Sequence, residues 1–271
     1  MKKWRYALSS ADEAPQTAPI LLTGSIADNL SKAAKLGYNA IEVHARPDDP
    51  FDYGAIKEQM AKTSVRISAL ITGRLNTEGQ CSLIDVRPYV VQAAMDGMYE
   101  YIDIAEKLDT DIVLGWAKGN VPSGKSREKY LRRLAQNLAH LADYAGSRNV
   151  KIHAEVINRY EVNIFTTAKE TVDFIKQWKL ENVYAHLDTF HMAIEETDPL
   201  EAIRYCKGHL GYFHLADNTR SYPGSGQLPF PDILKTLEEI GYGGYLSVEC
   251  LPGTDREQTA KNALSYLQSI N

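Results

Sequence analysis

An α/β chain of eight strand-then-helix units, closed into one (β/α)8 TIM barrel, is the fold this sequence predicts, on three observations. Short runs rich in β-branched and aromatic residues alternate with longer amphipathic stretches, and that alternation builds a parallel sheet covered by helices. The runs number eight, the count that closes such a barrel, and 271 residues is near the length of about 250 typical of one. The competing open, doubly wound sheet wants a glycine-rich phosphate turn after its first strand. Here that strand leads into SSADEAPQTAP. The expectation is one domain over 1–271, with its site at the C-terminal ends of strands five to eight.

The elements follow in order. Strand one is expected at Trp4–Leu8 and its helix at Ile26–Leu36, stopped by Gly37. Ala40–His44 precedes a helix at Asp52–Ala61, and Arg66–Ile71 precedes one at Val90–Leu108. Asp111–Trp116 leads to Ser126–Ala145, stopped by Gly146, and Lys151–Val156 leads to Thr167–Trp178. Val183–Asp188 is followed by Leu200–Lys207, Gly211–Leu215 by Phe230–Ile240, and Tyr245–Cys250 by Asp255–Ile270. Gly241 closes the seventh helix, as glycine does where a chain must leave a helix left-handed.

Composition narrows the function. The chain is 44% hydrophobic and 24% charged, ordinary for a folded globular protein. A formal charge of −5 and a sequence pI of 5.8 disfavour a polyanionic partner, so no nucleic acid is expected. Lys2 and Lys3 are followed by no apolar run, so no secretory signal is expected, and nothing approaches the ~20 apolar residues of a membrane helix. Cys81, Cys206 and Cys250 form no CxxC pair and no disulfide framework, which fits a reducing, cytoplasmic setting. Cys250 follows Glu249 on a strand, where neighbours face opposite ways, so it is expected to pack.

Function in such a barrel gathers at the strand C-termini. Strand five ends in KIHAEVINRYE and places Glu155 there; strand six ends in YAHLDTFHM and gives Asp188, then His191. Strand seven ends in GYFHLADNTR and gives His214, then Arg220; strand eight ends in YLSVECLPG and gives Glu249. The intervals are 33 (155 to 188), 26 (188 to 214) and 35 (214 to 249), each near one β/α repeat. Taken singly, each has an ordinary structural explanation as a cap, an ion pair or a hydrogen-bonded histidine. Together, three carboxylates in one poorly solvated mouth would repel unless a cation joined them. Mostly oxygen donors plus one imidazole suit Mn2+ first, with Mg2+, Co2+ or Zn2+ as alternatives.

At these residues the chain resembles the xylose-isomerase-like barrel superfamily of sugar isomerases and epimerases, and within it the D-tagatose 3-epimerase and D-psicose 3-epimerase (ketose 3-epimerase) group. The stretches that carry the resemblance are EVINRYE (155–161), LDTFHMAIEE (187–196), FHLADNTRSYPGSG (213–226) and YLSVECLP (245–252). The resemblance implies that Glu155, Asp188, His214 and Glu249 bind one divalent metal ion. It also implies that Glu155 and Glu249 are the acid/base pair, and that Glu161, His191 and Arg220 bind a sugar substrate. A homo-oligomer, dimer or tetramer, is likewise implied. Val156 and Ile157 depart from the group's usual Pro-Leu, and GWAKGNVPSGK after strand four does not match, which leaves contacts to the far end of the sugar open.

The chemistry explains the residue types. Epimerising a carbon beside a carbonyl removes a weakly acidic proton, and the cost lies in the charge that develops on oxygen, which a cation offsets. The proton must return on the other face, so two groups on opposite sides of the mouth are needed. Arg220 and His191 can donate to substrate oxygens and Glu161 can accept from hydroxyls. His191 could instead orient Asp188. His153 and His186 are expected to face the interior below the ligands, with His44, His140 and His209 structural. Tyr6 and Trp116 are expected mainly in the core. The rivals are an aldose–ketose isomerase of hydroxypyruvate- or xylose-isomerase type, a non-catalytic sugar or metal sensor, and a DNA-repair nuclease resembling endonuclease IV. The nuclease would want further His and Asp ligands, which ITGRLNT and SYPGSGQLPF do not offer.

Overall fold

A computed structural model describes residues 4–79 and 81–271. Eight strands close into a parallel barrel: β1 (Arg5–Ala11), β2 (Ala40–His44), β3 (Arg66–Ile71), β4 (Ile112–Leu114), β5 (Ile152–Glu155), β6 (Val183–Asp188), β7 (Leu210–Leu215) and β8 (Tyr245–Val248). Each pairs with the next, and β1 pairs with β8 to shut the ring. A two-residue strand, Leu22–Thr23, adds to the end of β1. The helices are α1 (Ile26–Leu36), α2 (Tyr53–Thr63), α3 (Gly73–Gly79), α4 (Pro88–Leu108), α5 (Arg127–Gly146), α6 (Ala168–Trp178), α7 (Thr189–Glu195), α8 (Pro199–Tyr205), α9 (Phe230–Glu239) and α10 (Arg256–Ser269). No helix among the described residues is long and apolar enough to cross a membrane.

The helix starts follow their capping chemistry. Ser25, Asp52, Thr167 and Asp255 each accept a backbone N–H in the first turn of α1, α2, α6 and α10, contacts worth about 1 kcal/mol each. Gly37 ends α1 at φ 88°, a left-handed position that costs a side chain strain.

Departures from the expected elements have local causes. Strand one runs on to Ala11 because Ser9 and Ser10 stay paired while buried, donating to the carbonyls of Pro19 and Glu42 at 2.9 and 2.6 Å. The run expected at Asp111–Trp116 is strand only over Ile112–Leu114, and Trp116–Lys118 then forms a 3-10 turn. Helix α7 precedes the helix expected at Leu200–Lys207 because Asp188 itself caps it, Oδ1 accepting from Phe190 N at 2.8 Å.

Two apolar layers result. The larger lies between strands and helices, and it buries Cys81, Cys206 and Cys250, none of them in a disulfide. The smaller, inside the barrel, joins Ala69, Ile71 and Val113 to Tyr212. Barrel interiors are usually filled by branched apolar side chains. Here Glu42, Ser68, His153, His186, Tyr212 and Ser247 are also buried. Polar groups at that depth need partners, and the partners lead to the mouth.

Candidate metal centre and active site

Glu155 ends β5, Asp188 ends β6, His214 lies in β7 and Glu249 directly follows β8. Asp188 and His214 are register partners, so the two strands deliver them at one height. His214 Nδ1 is the focus: Glu249 Oε2 lies 3.4 Å away, Asp188 Oδ2 3.7 Å and Glu155 Oε1 3.9 Å. All four side chains are buried. Nδ1 makes no hydrogen bond among the described residues. On the other side of the ring, Nε2 lies 2.8 Å from Glu42 Oε2. Glu42 therefore accepts a hydrogen bond from Nε2–H, which leaves the Nδ1 lone pair aimed at three carboxylates. A buried imidazole nitrogen with no partner, ringed by carboxylate oxygens and held by a carboxylate behind it, is the donor set a divalent cation fits.

Charge balance points the same way. Burial opposes a charge on His214, yet the carboxylates of Glu42 and Glu249 hold its pKa well above the usual value. Burial likewise opposes ionisation of Glu42, but the His214 imidazole beside it keeps its carboxyl far below the carboxylate range. The centre thus attracts positive charge at Nδ1, where a metal ion would take the place of a proton. Glu155 is pushed up to about 8 by burial, with Glu249 adding to the shift against the pull of His214.

Glu42 was not among the expected site residues. The signal was a lone carboxylate inside the apolar strand AIEVH. Tyr212 OH lies 3.1 Å from Glu42 Oε2 and 2.7 Å from Ser68 Oγ, extending the chain of contacts into the barrel. His186 packs edge-on against His214 at 4.1 Å between ring centres, and burial keeps it neutral. His153 is tied by Nε2 to Asp111 at 3.2 Å. Both histidines thus lie in the interior below the mouth.

The three residues expected at the substrate all line one pocket of about 440 Å³ above this centre. Asn158, also unforeseen, organises two of them: its Nδ2 donates to Glu161 Oε1 and to His191 Nδ1, both at 2.8 Å. His191 Nε2 then carries the proton and lies 3.9 Å from Asp188 Oδ2. Arg220 donates through Nη1 to Asp188 Oδ2 at 2.5 Å and through Nη2 to Glu249 Oε2. It sits at φ 61° in a loop built on Asp217, whose carboxylate accepts the N–H groups of Asn218, Gly224, Gly226 and Leu228. A Cβ on Gly226 would lie 2.4 Å from Asp217 Oδ1, so only glycine fits there.

His44, expected to be structural, lines the pocket with Nε2 3.5 Å from Glu42 Oε1 and 3.5 Å from Glu249 Oε1, because β2 faces the mouth at its C-terminal end. Trp116 is not in the core: it is 37% exposed and lines the pocket, its Nε1 donating to Glu161 Oε2 at 3.2 Å, because the chain leaves β4 early at Gly115. Tyr6 is buried behind the barrel, its hydroxyl donating to Leu267 O at 3.3 Å. Lys118 is fully buried with Nζ donating to Gly115 O at 3.1 Å, and burial lowers its pKa to about 8 against the attraction of Glu155. A larger cavity of about 670 Å³ opens at the opposite end around Arg5, Arg66 and Lys151, and it contains none of the expected site residues.

Known proteins resemble this chain throughout. Residues 30–270 match the model of the xylose isomerase-like TIM barrel family. The L-ribulose 3-epimerase of Methylomonas sp. (strain DH-1) is 29% identical over 244 residues, 89% of this chain and 84% of that one. The D-psicose 3-epimerase of Enterocloster bolteae is 30% identical over 81% of this chain and 75% of its own. Among solved structures, the 3-keto-D-glucoside 4-epimerase of E. coli superposes with a TM-score of 0.84 over 98% of this chain and 100% of its own, at 20% identity, a likeness of fold.

Proposed function

The chain belongs to the xylose isomerase-like TIM barrel family, and from that premise we propose that it is a metal-dependent sugar epimerase, an isomerase that removes and returns the proton on the carbon beside a ketose carbonyl. The observation that carries this reading is the convergence of Glu155, Asp188 and Glu249 on the unpartnered Nδ1 of His214. These four would hold one divalent ion, Mn2+ by preference. When bound, it supplies Lewis-acid stabilisation of the charge that develops on the substrate carbonyl oxygen.

The chain's own residues do the rest. Glu155 and Glu249 project from β5 and β8 and can each address one face of the reacting carbon. Their surroundings differ, as an acid–base pair requires. Glu249 is paired with Arg220, whereas in the metal-free protein burial opposes a charge on Glu155. Glu249 takes the proton in one direction and Glu155 delivers one to the opposite face; the roles exchange for the other epimer. His191 Nε2–H and Glu161 are placed to donate to and accept from substrate hydroxyls. Arg220 orients the two carboxylates it bridges and can reach a substrate oxygen from there. The buried cysteines, none of them in a disulfide, fit the reducing cytoplasm, and a dimer or tetramer is the assembly expected, to be checked by sedimentation.

Turnover in D2O tests the reading. With Mn2+ and a free ketose such as D-psicose or L-ribulose, the product should carry deuterium on the epimerised carbon. An unlabelled product would point to direct hydride transfer, the route open to an aldose–ketose isomerase, and would overturn the proposal.

A further inference from the structure

We propose that the preferred substrate is an uncharged keto-sugar joined to a second sugar ring, with that second ring resting against Trp116. The inference rests on the epimerase reading and concerns what the same site admits beyond the reacting sugar.

Size is the first consideration. The pocket above the metal centre holds about 440 Å³, within the range of roughly 300–1,000 Å³ that accommodates ligands larger than a single hexose. Away from the carboxylates its wall is apolar, built from Pro15, Pro19, Ile157, Phe190 and Leu251. Beyond it lies a second cleft of about 460 Å³, lined by Asn76, Ser82, Asp85, Gly119 and Asn120. Trp116 and Glu161 line both spaces, so the two adjoin at that pair.

Trp116 is suited to that border. The hydrogen bond from its Nε1 to Glu161 Oε2 fixes the indole, and 37% of the residue remains open. An aromatic face packs against the C–H face of a sugar ring, while the amide and hydroxyl groups of the second cleft can meet its hydroxyls. Trp116 comes from GWAKGN, the segment that had no counterpart in the resemblance.

Charge decides the class. The arginines lining the pocket are Arg74 and Arg220. Arg74 donates to Asp12 Oδ1 at 2.5 Å and to Glu13 O at 2.6 Å, and Arg220 is held by Asp188 and Glu249. Both are already offset by carboxylates. A phosphate or carboxylate on the far end of the sugar would enter beside Glu161, which disfavours it, while Asp85 in the second cleft is already paired with Arg87.

The test compares kcat/KM of the Mn2+-loaded protein for D-psicose, for a 3-keto-disaccharide and for 5-keto-D-gluconate, with deuterium uptake from D2O as the signal. The keto-disaccharide should be preferred over D-psicose by about three- to tenfold, the scale of one aromatic contact, and the acid should be the poorest. Trp116→Ala should collapse that ratio toward one, and Trp116→Phe should restore most of it. A preference for D-psicose or for the acid, or a ratio indifferent to Trp116→Ala, overturns the inference and leaves the epimerase reading standing. Absence of deuterium uptake from all three with metal bound overturns both.

Discussion

His214 Nε2 lies 2.8 Å from Glu42 Oε2, with both side chains fully buried, so a residue of the second strand sets which nitrogen of a seventh-strand histidine faces the site. Replacing this carboxylate by an amide removes the charge that raises the donor strength of the imidazole. Glu42→Gln should weaken Mn2+ binding by about 10–100-fold, the usual cost of losing such a partner. Titration followed by the electron paramagnetic resonance of free Mn2+ measures it. An unchanged Kd would mean that Glu42 only fills space.

The two carboxylates proposed to transfer protons, Glu155 and Glu249, should fail separately. With saturating Mn2+, Glu155→Gln and Glu249→Gln should each lower kcat by about 100-fold or more, since positioned acid–base groups contribute roughly that factor or above. Both amides retain an oxygen for the metal, so a Kd measured alongside separates lost chemistry from lost metal. Near-normal turnover in both variants would end the acid–base assignment.

Metal binding should strengthen as pH rises. In the metal-free protein, burial disfavours the charge on His214 but the surrounding carboxylates hold its pKa well up, and Glu155 is pushed up to about 8 by burial. Those protons must leave before the donors can hold a cation. The Kd for Mn2+ should therefore rise by about tenfold or more for each unit of acidification between roughly pH 8 and pH 6. Calorimetric titration at several pH values reads this, and a flat profile contradicts it.

Removal of the metal should cost stability. Mn2+ at about one hundred times its Kd adds about 2.7 kcal/mol to the folded state. For a chain of this size that corresponds to a fall in Tm of about 5–10 °C when EDTA is added. Differential scanning calorimetry with and without chelator gives the difference, which should shrink in Glu42→Gln.

Gly115 guards the position of Glu155, because a Cβ there would lie 2.9 Å from Glu155 Oε2. Gly115→Ala should shift the carboxylate and lower kcat by roughly 10–100-fold, the penalty of misplacing a reacting group. Circular dichroism should report an intact barrel. A variant with full activity would show that Glu155 tolerates displacement.

Periodicity made the barrel and its mouth legible. A strand-ending Glu155, Asp188, His214 and Glu249, each about one β/α repeat apart, needs no coordinates to be placed at one height, because the parallel register carries each strand end to the same rim. The LDTFHMAIEE and INRYE stretches likewise carried the family and the expected roles of His191 and Glu161. What stayed hidden was contact between distant strands. Glu42 and His214 are 172 positions apart and meet only because the closed ring places β2 across from β7. The Asn158 fork, the bridging of Asp188 and Glu249 by Arg220, and the exposed Trp116 depend on loop turns that hydrophobic alternation does not encode. The sequence by itself determined the fold class and which strand ends bear the three carboxylates and the histidine, since both follow from repeating local pattern. Only the tertiary structure decided that Glu42 turns His214 toward those donors and that Trp116 walls the far side, since both are matters of distance across a barrel.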